Sequence, residues 1–477
     1  MKINQNMSAV TANVQLLRTE RKLSVSVERL SSGYKINKPG DNPAGMAISN
    51  KMRAQINALN KAGDNVSDGV SVMQIADGAL SEVSLVLQRM RELAVQAANG
   101  TNTYEDRQTI QAEIAQLRQE VDRISSDTEY NTKILLDGSS DTRVYSEPKA
   151  AERIAVSDTV MVGKYSVNVE KMAEKAEATI DLPLSDPAGV DTSFSVNGVT
   201  MVINKDMSLD EMRQKFQKVL EEAGCVAKNP EMTEIESTRK GSDAEIIIST
   251  KDAVFAPKFG GVLNDETGTY ELLKSGEDAQ VSIPDLYEGA GFSSTTMITT
   301  QGNRVKISDF NGFSMDFMIR DNYDPNDGVN PAPNATTGNF TLDVTNLGAM
   351  VVQSGGNQYQ TMELNIPEIS AESLYLDQID VSVAGGAVRG LDILDGDMAR
   401  LNEVRSRVGA FQNRLEYAKS SLDETEEDMT SAFSTLLDTD MAEEMVTYTQ
   451  QNVLQQAATS VLSQANDLPQ TVLTLLQ

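Results

Sequence analysis

Apolar residues at the two ends of the chain recur with spacings of four and three, which is the pattern of a coiled-coil helix. The N-terminal stripe consists of Ile3, Met7, Val10, Val14 and Leu17. The C-terminal stripe consists of Leu454, Ala458, Val461, Ala465, Leu468, Val472 and Leu475. A single helix cannot bury such a stripe, so each end is expected to have a helical partner. We interpret the ends as an incomplete coiled coil finished by assembly; an ordinary helix pair within one molecule is the alternative.

Longer heptad patterns follow inside these ends and predict a helical bundle. Apolar side chains recur with heptad periodicity in three segments, at every seventh position in the first and third and at alternating intervals of four and three in the second. The first has Met52, Leu59, Val66, Met73, Leu80 and Leu87, the second is a shorter helix with Ile110, Ile114, Leu117, Val121 and Ile124, and the third has Leu394, Leu401, Val408, Leu415 and Leu422. Gly, Pro and Asn between residues 31 and 45 predict a linker between the terminal coil and this bundle.

Between about residues 139 and 370 the pattern changes to short alternating segments separated by Gly, Pro and Asp. Residues 165–169, 199–203 and 244–248 are predicted strands. A short helix is predicted from Leu209 to Ala223, with Ser208 as its N-cap. The fold class expected is α+β multidomain, mainly α at both chain ends, with an inserted β-rich middle region.

Composition excludes several kinds of chemistry. The 477-residue chain contains no histidine and one cysteine, Cys225. Histidine-dependent triads, zinc sites built from spaced Cys and His, and an intramolecular disulfide are therefore excluded. We expect no catalytic residues, no metal site and no cofactor.

A formal net charge of −29 argues against binding to nucleic acids or to an anionic membrane, because both interactions need clustered Lys and Arg. The first residues lack the apolar core of a secretory signal peptide, and we expect no membrane span. The acidic run at residues 423–428 is interpreted as a solvated helix face, with metal binding as the alternative. Residues 321–328 are expected to be an exposed loop, and calcium binding is disfavoured there because the spacing of the acids misses the EF-hand pattern.

Several segments resemble a known family. Residues 30–37 (LSSGYKIN), 44–48 (AGMAI), 88–101 (QRMRELAVQAANGT) and 465–473 (ANDLPQTVL) are similar to the terminal regions of bacterial flagellins. The likeness covers about residues 1–138 and 370–477. It implies a secreted structural subunit of the extracellular flagellar filament, involved in motility, with no enzymatic activity.

The resemblance also implies an arrangement of the chain. Residues 1–45 with 435–477 would form a terminal coiled coil lining the filament core, and 46–175 with 345–434 a helical bundle with a β-hairpin region. Residues 176–344 would form variable, surface-exposed β-rich domains. The partners implied are further copies in a helical homopolymer, an export chaperone of the type III route, and the hook-junction and cap proteins.

Three positions match those by which flagellins bind the host Toll-like flagellin receptor: Arg89, Leu93 and Glu113. In that reading Arg89 supplies hydrogen bonds and Leu93 an apolar anchor. The alternative is that they are only bundle-surface or subunit-interface residues. A second alternative concerns the whole chain. Pro39 and the linker Asp41-Asn42-Pro43-Ala44-Gly45 slightly favour the hook–filament junction protein, a relative with similar ends, whereas the ending from Ala465 to Leu476 favours flagellin.

Overall fold

The structure is a computed structural model, and it describes residues 6–475 apart from 148, 158, 182–190, 265–267, 284–291, 294, 322–337 and 346. For residues 338, 339, 469, 470 and 472–475 it describes the backbone only. The described part divides into two units. One combines Met1–Asp68, Gln353–Met362 and Arg414–Gln477, and the other combines Gly69–Val352 and Glu363–Asn413. The three-part division expected from the sequence stays a prediction.

The described residues contain six α-helices, and five of them form the two ends of the chain, as the heptad patterns predict; α4 lies in the middle. They are α1 (Met7–Ser32), α2 (Pro43–Ala97), α3 (Tyr104–Asp127), α4 (Leu209–Ala223), α5 (Gly386–Leu437) and α6 (Met441–Leu475). Helix α3 begins with a capping box, in which Thr103 and Asp106 satisfy each other's backbone N–H groups.

The linker between α1 and α2 is shorter than the sequence suggested. Helix α1 continues through Ser32 and ends at Gly33, which adopts a left-handed conformation with φ 77°. Helix α2 already begins at Pro43. Proline is favoured in the first turn of a helix because its missing N–H has no helical partner there. The prediction that residues 31–45 are all non-helical was therefore wrong at both edges.

In the second unit, α2, α3 and α5 pack as a bundle. Their heptad side chains Met73, Leu80, Leu87, Leu394 and Leu401 are all buried. Ion pairs link the helices at the surface, with Arg91 bound to Asp395 at 2.7 Å and Arg405 bound to Asp77 at 3.0 Å. Helix α2 has the length and composition of a membrane span. Met73, Leu80 and Leu87 of this helix are buried in the bundle core, so part of its apolar character is explained by packing within the protein.

In the part of the chain that the structure describes, twenty short strands make up the β-rich middle and its borders. They are β1 (Glu129–Tyr130), β2 (Lys133–Ile134), β3 (Val144–Glu147), β4 (Ala151–Val156), β5 (Gly163–Lys171), β6 (Lys175–Thr179), β7 (Thr192–Val196), β8 (Val199–Ile203), β9 (Cys225–Ala227), β10 (Glu234–Lys240), β11 (Glu245–Thr250), β12 (Val262–Asn264), β13 (Thr269–Ser275), β14 (Gln280–Ser282), β15 (Met297–Gln301), β16 (Arg304–Ser308), β17 (Ser314–Ile319), β18 (Gly338–Val344), β19 (Met350–Gln353) and β20 (Thr361–Leu364).

One core of the middle forms around α4. A five-stranded antiparallel sheet in the order β12-β13-β11-β7-β8 and a three-stranded sheet in the order β6-β10-β9 surround it. Phe194, Phe216, Ile246 and Ile248 are among its buried side chains. Ser208 caps α4 through a capping box with Glu211, as predicted.

A second core lies between two four-stranded sheets, β14-β5-β18-β3 and β15-β16-β17-β4. Val167, Phe317 and Phe340 are fully buried or nearly so within it. Its strands come from both sides of the α4 core in the sequence, since β5 pairs with β18 and β4 pairs with β17. The α4 core is therefore an insertion within the second core.

Candidate functional site

Helices α1 and α6 pair in antiparallel fashion, so that the first described helix meets the last. Near one end of the pair, the Asn6 side-chain amide donates to the Ala465 carbonyl at 2.7 Å. Near the other end, the Ser26 hydroxyl donates to the Glu444 carboxylate. The alternative of a helix pair within one molecule is thus realised for these two helices.

The side chains that face the partner helix form a regular set on each helix, which we call the pairing faces. On α1 the least exposed positions are Ala9, Ala12, Leu16, Thr19, Leu23 and Ser26. On α6 they include Glu444, Tyr448, Gln451, Gln455, Ala458, Leu462 and Ala465. Both sets keep the three-and-four spacing of a coiled coil. The pairing faces are rich in small and polar side chains, in contrast to an ordinary apolar seam.

The N-terminal stripe lies outside the pairing face of α1. Met7, Val10, Val14 and Leu17 are 43 to 64% exposed. Ile3 lies outside the described residues. These four apolar side chains therefore remain exposed even though the helix already has a partner.

Some residues of the C-terminal stripe face α1, and others are exposed. Ala458 and Ala465 belong to the pairing face of α6, whereas Leu454, Val461 and Leu468 are about half exposed. The side chains of Val472 and Leu475 lie outside the described part of the chain. The sequence suggested that this stripe forms one surface. In the structure its alanines face α1, whereas Leu454, Val461 and Leu468 are exposed.

A cluster of charged and polar groups is buried in the α1–α6 pair. Glu444 is 8% exposed, and each of its carboxylate oxygens has a partner. One oxygen accepts the hydrogen bond from Ser26, and the other lies 3.5 Å from an Arg29 Nη atom. The Arg29 Nε is buried and makes no hydrogen bond to a described residue. Sequence analysis missed this cluster because it followed only the apolar positions.

The three residues proposed for a host receptor do not share one environment. Arg89 on α2 binds Glu113 on α3 at 2.8 Å and Glu92 at 3.2 Å, and all three side chains are about half exposed or more. Leu93 is only 2% exposed and belongs to the bundle core. The expectation that Leu93 is an accessible apolar anchor is therefore wrong for this subunit, since its position on α2 points it inward.

The acidic residues, Cys225 and the expected loop at 321–328 are the remaining candidates from the sequence. Among the described residues, no group of three or more Cys, Asp or Glu side chains is arranged to hold a metal ion. Cys225 is buried in the α4 core, and burial raises the pKa of its thiol to about 11, which keeps it unreactive near neutral pH. Residue 321 is described and exposed, whereas 322–328 of the expected loop lie outside the described residues.

A second buried polar cluster joins the second β core to α5. Tyr375 is 1% exposed and has a left-handed backbone with φ 54°. The Arg304 guanidinium lies 4.2 Å from its ring centroid. Asp397 on α5 is 3% exposed, and its Oδ2 has no hydrogen-bond partner among the described residues. Burial raises the pKa of Asp397 to about 8, although Arg304 and Arg400 act in the opposite direction.

Comparison with known proteins agrees with this architecture. The bacterial flagellin N-terminal helical region matches residues 3–141, and the bacterial flagellin C-terminal helical region matches residues 391–476. A flagellin from Clostridium tyrobutyricum is 31% identical over 472 residues, which is 98% of this chain and 100% of the relative. A flagellin from Salmonella typhimurium is 29% identical over 506 residues, or 100% of this chain and 99% of the relative.

Solved flagellar structures also align with the chain. The hook-associated protein 3 from Legionella pneumophila is 14% identical, covers 81% of this chain and 98% of its own, and has a TM-score of 0.32. FliC from Burkholderia pseudomallei is 17% identical, covers 72% of this chain and 99% of its own, and has a TM-score of 0.23. TM-scores this low carry no weight, so the assignment rests on the sequence matches.

Helical ends joined through their first and last helices, a β-rich insertion and these matches define a structural subunit of the bacterial flagellum. More narrowly, the chain belongs to the bacterial flagellin family, whose members build the flagellar filament.

Proposed function

We propose that this subunit polymerises through its terminal helices, with the N-terminal stripe and the exposed part of the C-terminal stripe buried between subunits. The observation that carries the proposal is the exposure of Met7, Val10, Val14 and Leu17 on a helix that already has a partner. Contiguous apolar side chains on an otherwise soluble protein favour association. The interface is heterologous, so repeated association that does not close gives a helical filament.

The energetic scale supports such an interface. Burial of one large apolar side chain contributes roughly 1.5–3 kcal/mol, from which the entropic cost of association is subtracted. Several stripe residues together therefore outweigh any single exposed ion pair, which contributes roughly 0–1 kcal/mol. The small and polar pairing faces leave these apolar side chains for a neighbouring molecule.

The test is electron microscopy of purified protein, seeded with filament fragments, for Val10→Glu with Val14→Glu. We expect a folded monomer that fails to elongate seeds. Val254→Glu is the matched control, because Val254 is 84% exposed in the middle region and should leave elongation unchanged. Removal of residues 1–30 or 450–477 should have the same effect as the double substitution. Normal filaments from either truncation would refute the proposal.

The same images address the place of the subunit in the organelle. As the main filament subunit, wild-type protein forms long filaments on seeds. The alternative role at the hook–filament junction predicts short, self-limited structures instead. We propose the first role, with the hook-junction and cap proteins as further partners and without any enzymatic activity.

We further propose export through the flagellar type III route, with a cytoplasmic chaperone on α6. Val453, Leu454, Val461 and Leu468 give α6 exposed apolar side chains that need cover before assembly. Deletion of 450–477 should abolish capture of the unassembled chain by the chaperone. Retained capture would contradict the assignment of α6.

Finally, we propose that the monomer is recognised by the host Toll-like flagellin receptor through Arg89 and Glu113, with Leu93 supporting α2 from within. Arg89 is half exposed, and its guanidinium presents several hydrogen-bond donors in a plane. Arg89→Ala should reduce receptor signalling while filament assembly is unaffected. Unchanged signalling with normal assembly would restrict Arg89 to a role on the bundle surface.

A further inference from the structure

Much of the pairing faces of α1 and α6 consists of side chains that would not fix how far one helix slides along the other; the larger members are Leu16, Leu23, Tyr448 and Leu462. Ala9, Ala12, Ala458 and Ala465 are small, and Gln451 and Gln455 are flexible. Small or flexible side chains are nearly interchangeable from one heptad to the next. Packing alone therefore distinguishes weakly between alternative registers.

The observed register is nevertheless regular along the whole pair. Residues that meet across it have numbers that add up to 470 or 471, as Asn6 with Ala465 and Ser26 with Glu444 show. The same rule places Ala12 opposite Ala458 and Thr19 opposite Gln451. These are members of the pairing faces, so burial and hydrogen bonding give the same alignment.

Two features distinguish this register from its neighbours: the cluster of Ser26, Arg29 and Glu444, and the backbone bridge between Tyr34 and Asp438 just beyond the end of α1. In the observed register the buried Glu444 has a hydroxyl donor and a cation beside it. A slide of one heptad in one direction places Glu444 opposite Thr19, and in the other direction opposite Gly33 at the end of α1. Either slide removes the carboxylate from Arg29, and a buried charge without its partner is strongly unfavourable.

We propose that the Ser26–Arg29–Glu444 cluster specifies the register of the α1–α6 pair and thereby positions the exposed stripes for contact with a second copy of this chain. A one-heptad slide displaces the exposed side chains of the two helices relative to each other by about 10 Å. The first part of the proposal concerns the single subunit, and the second part rests on the proposed function.

Pairs of introduced cysteines report the register in the full-length monomer. Ala12→Cys with Ala458→Cys reports the observed register. Ala12→Cys with Ala465→Cys and Ala12→Cys with Gln451→Cys report slides of one heptad in the two directions. Native Cys225 is buried within the α4 core and does not compete for oxidation. In the otherwise unchanged chain we expect the first pair to cross-link at least about tenfold more than either other pair, the equivalent of about 1.4 kcal/mol.

The decisive variants reverse the charges. Arg29→Glu places a second carboxylate beside Glu444, so the preference for the first cysteine pair should fall to less than about twofold, or all cross-links should be lost. Arg29→Glu with Glu444→Arg restores opposite charges and should restore the preference. Seeded elongation without the added cysteines should follow the same order, with a critical concentration at least about tenfold higher for Arg29→Glu alone.

Each outcome separates the two parts of the proposal. An unchanged cross-linking preference in Arg29→Glu, or no recovery in the double variant, overturns the role of the cluster. Loss and recovery of the preference with equal elongation in every variant supports the cluster as the determinant of register. That result overturns the proposed use of the terminal stripes in assembly.

Discussion

Helix α4 and helix α1 are both amphipathic, but they place their large apolar side chains in opposite environments. Met212, Phe216 and Leu220 of α4 are at most 2% exposed and pack in the core of the inserted domain. Met7, Val10 and Val14 of α1 remain exposed, while Ala12, Thr19 and Ser26 face α6. Apolar periodicity therefore predicts a helix in both cases. It does not show whether the apolar face is covered by the same chain, as in α4, or left exposed, as in α1.

The largest expected effect comes from a cavity in the α4 core. Phe216→Ala should lower the free energy of unfolding of the inserted domain by about 3–5 kcal/mol, because Phe216 is fully buried and the site cannot collapse completely. Thermal or urea unfolding measures it. Val254→Ala, at an 84% exposed position, is the control and should change stability by less than about 0.5 kcal/mol. Equal losses in both variants would remove the contrast drawn between core and surface.

Two buried carboxylates, Glu444 and Asp397, lie in different surroundings. Glu444 in the terminal pair has partners for both oxygens, whereas the Oδ2 of Asp397 has no hydrogen-bond partner among the described residues and burial raises the pKa of Asp397 to about 8. Between about pH 4 and 8 the folded state binds the Asp397 proton more tightly than the unfolded state, so stability from this group falls as pH rises.

Asp397→Asn removes that titration. The stability of the variant relative to the wild type should rise with pH by up to about 1.4 kcal/mol per pH unit across this interval. Urea titrations at several pH values measure the difference. A difference that is independent of pH would show that Asp397 is ionised in the folded protein.

A smaller effect is expected at the start of α4. Ser208→Ala removes the hydroxyl that accepts from the Glu211 N–H at 3.3 Å, and it should cost about 1 kcal/mol. Ser421→Ala is the control. Ser421 is exposed within α5 and caps no helix N-terminus, so the free energy of unfolding should not change measurably. Unfolding of the two variants under one set of conditions tests the capping box.

The smallest effect on the monomer is expected in the terminal helices. Val10→Ser with Val14→Ser should leave the melting temperature of the monomer unchanged, because both side chains are already exposed. The same variant should raise the critical concentration for filament elongation. A clear drop in monomer stability would place these residues in an intramolecular core and break the contrast with α4.

Local features were predictable from the sequence, because local sequence determines them. The Leu209–Ala223 helix with its Ser208 cap and the three strands over 165–169, 199–203 and 244–248 are confirmed. Capping and alternation depend on residues within a few positions of one another. The edges of the α1–α2 linker were wrong because Pro43 starts a helix instead of breaking one.

Long-range features were not predictable in this way. Strand β5 pairs with β18 across an insertion that contains a whole core, and no local pattern encodes that partner. In α1 both the pairing face and the N-terminal stripe follow coiled-coil spacing. The N-terminal stripe has more of the large apolar side chains, so the sequence pattern pointed to that stripe, although it stays exposed. Burial of Leu93 was missed for a related reason, because a single match to a motif does not say which side of α2 a residue occupies.

The pairing of α1 with α6 also has a consequence for the order of events during synthesis. The partner of the first described helix is made last, so a nascent or truncated chain that lacks α6 cannot close the terminal pair. Local cores such as that around α4 can form earlier, since their loops are short. A chain that lacks α6 therefore carries an N-terminal helix without its partner.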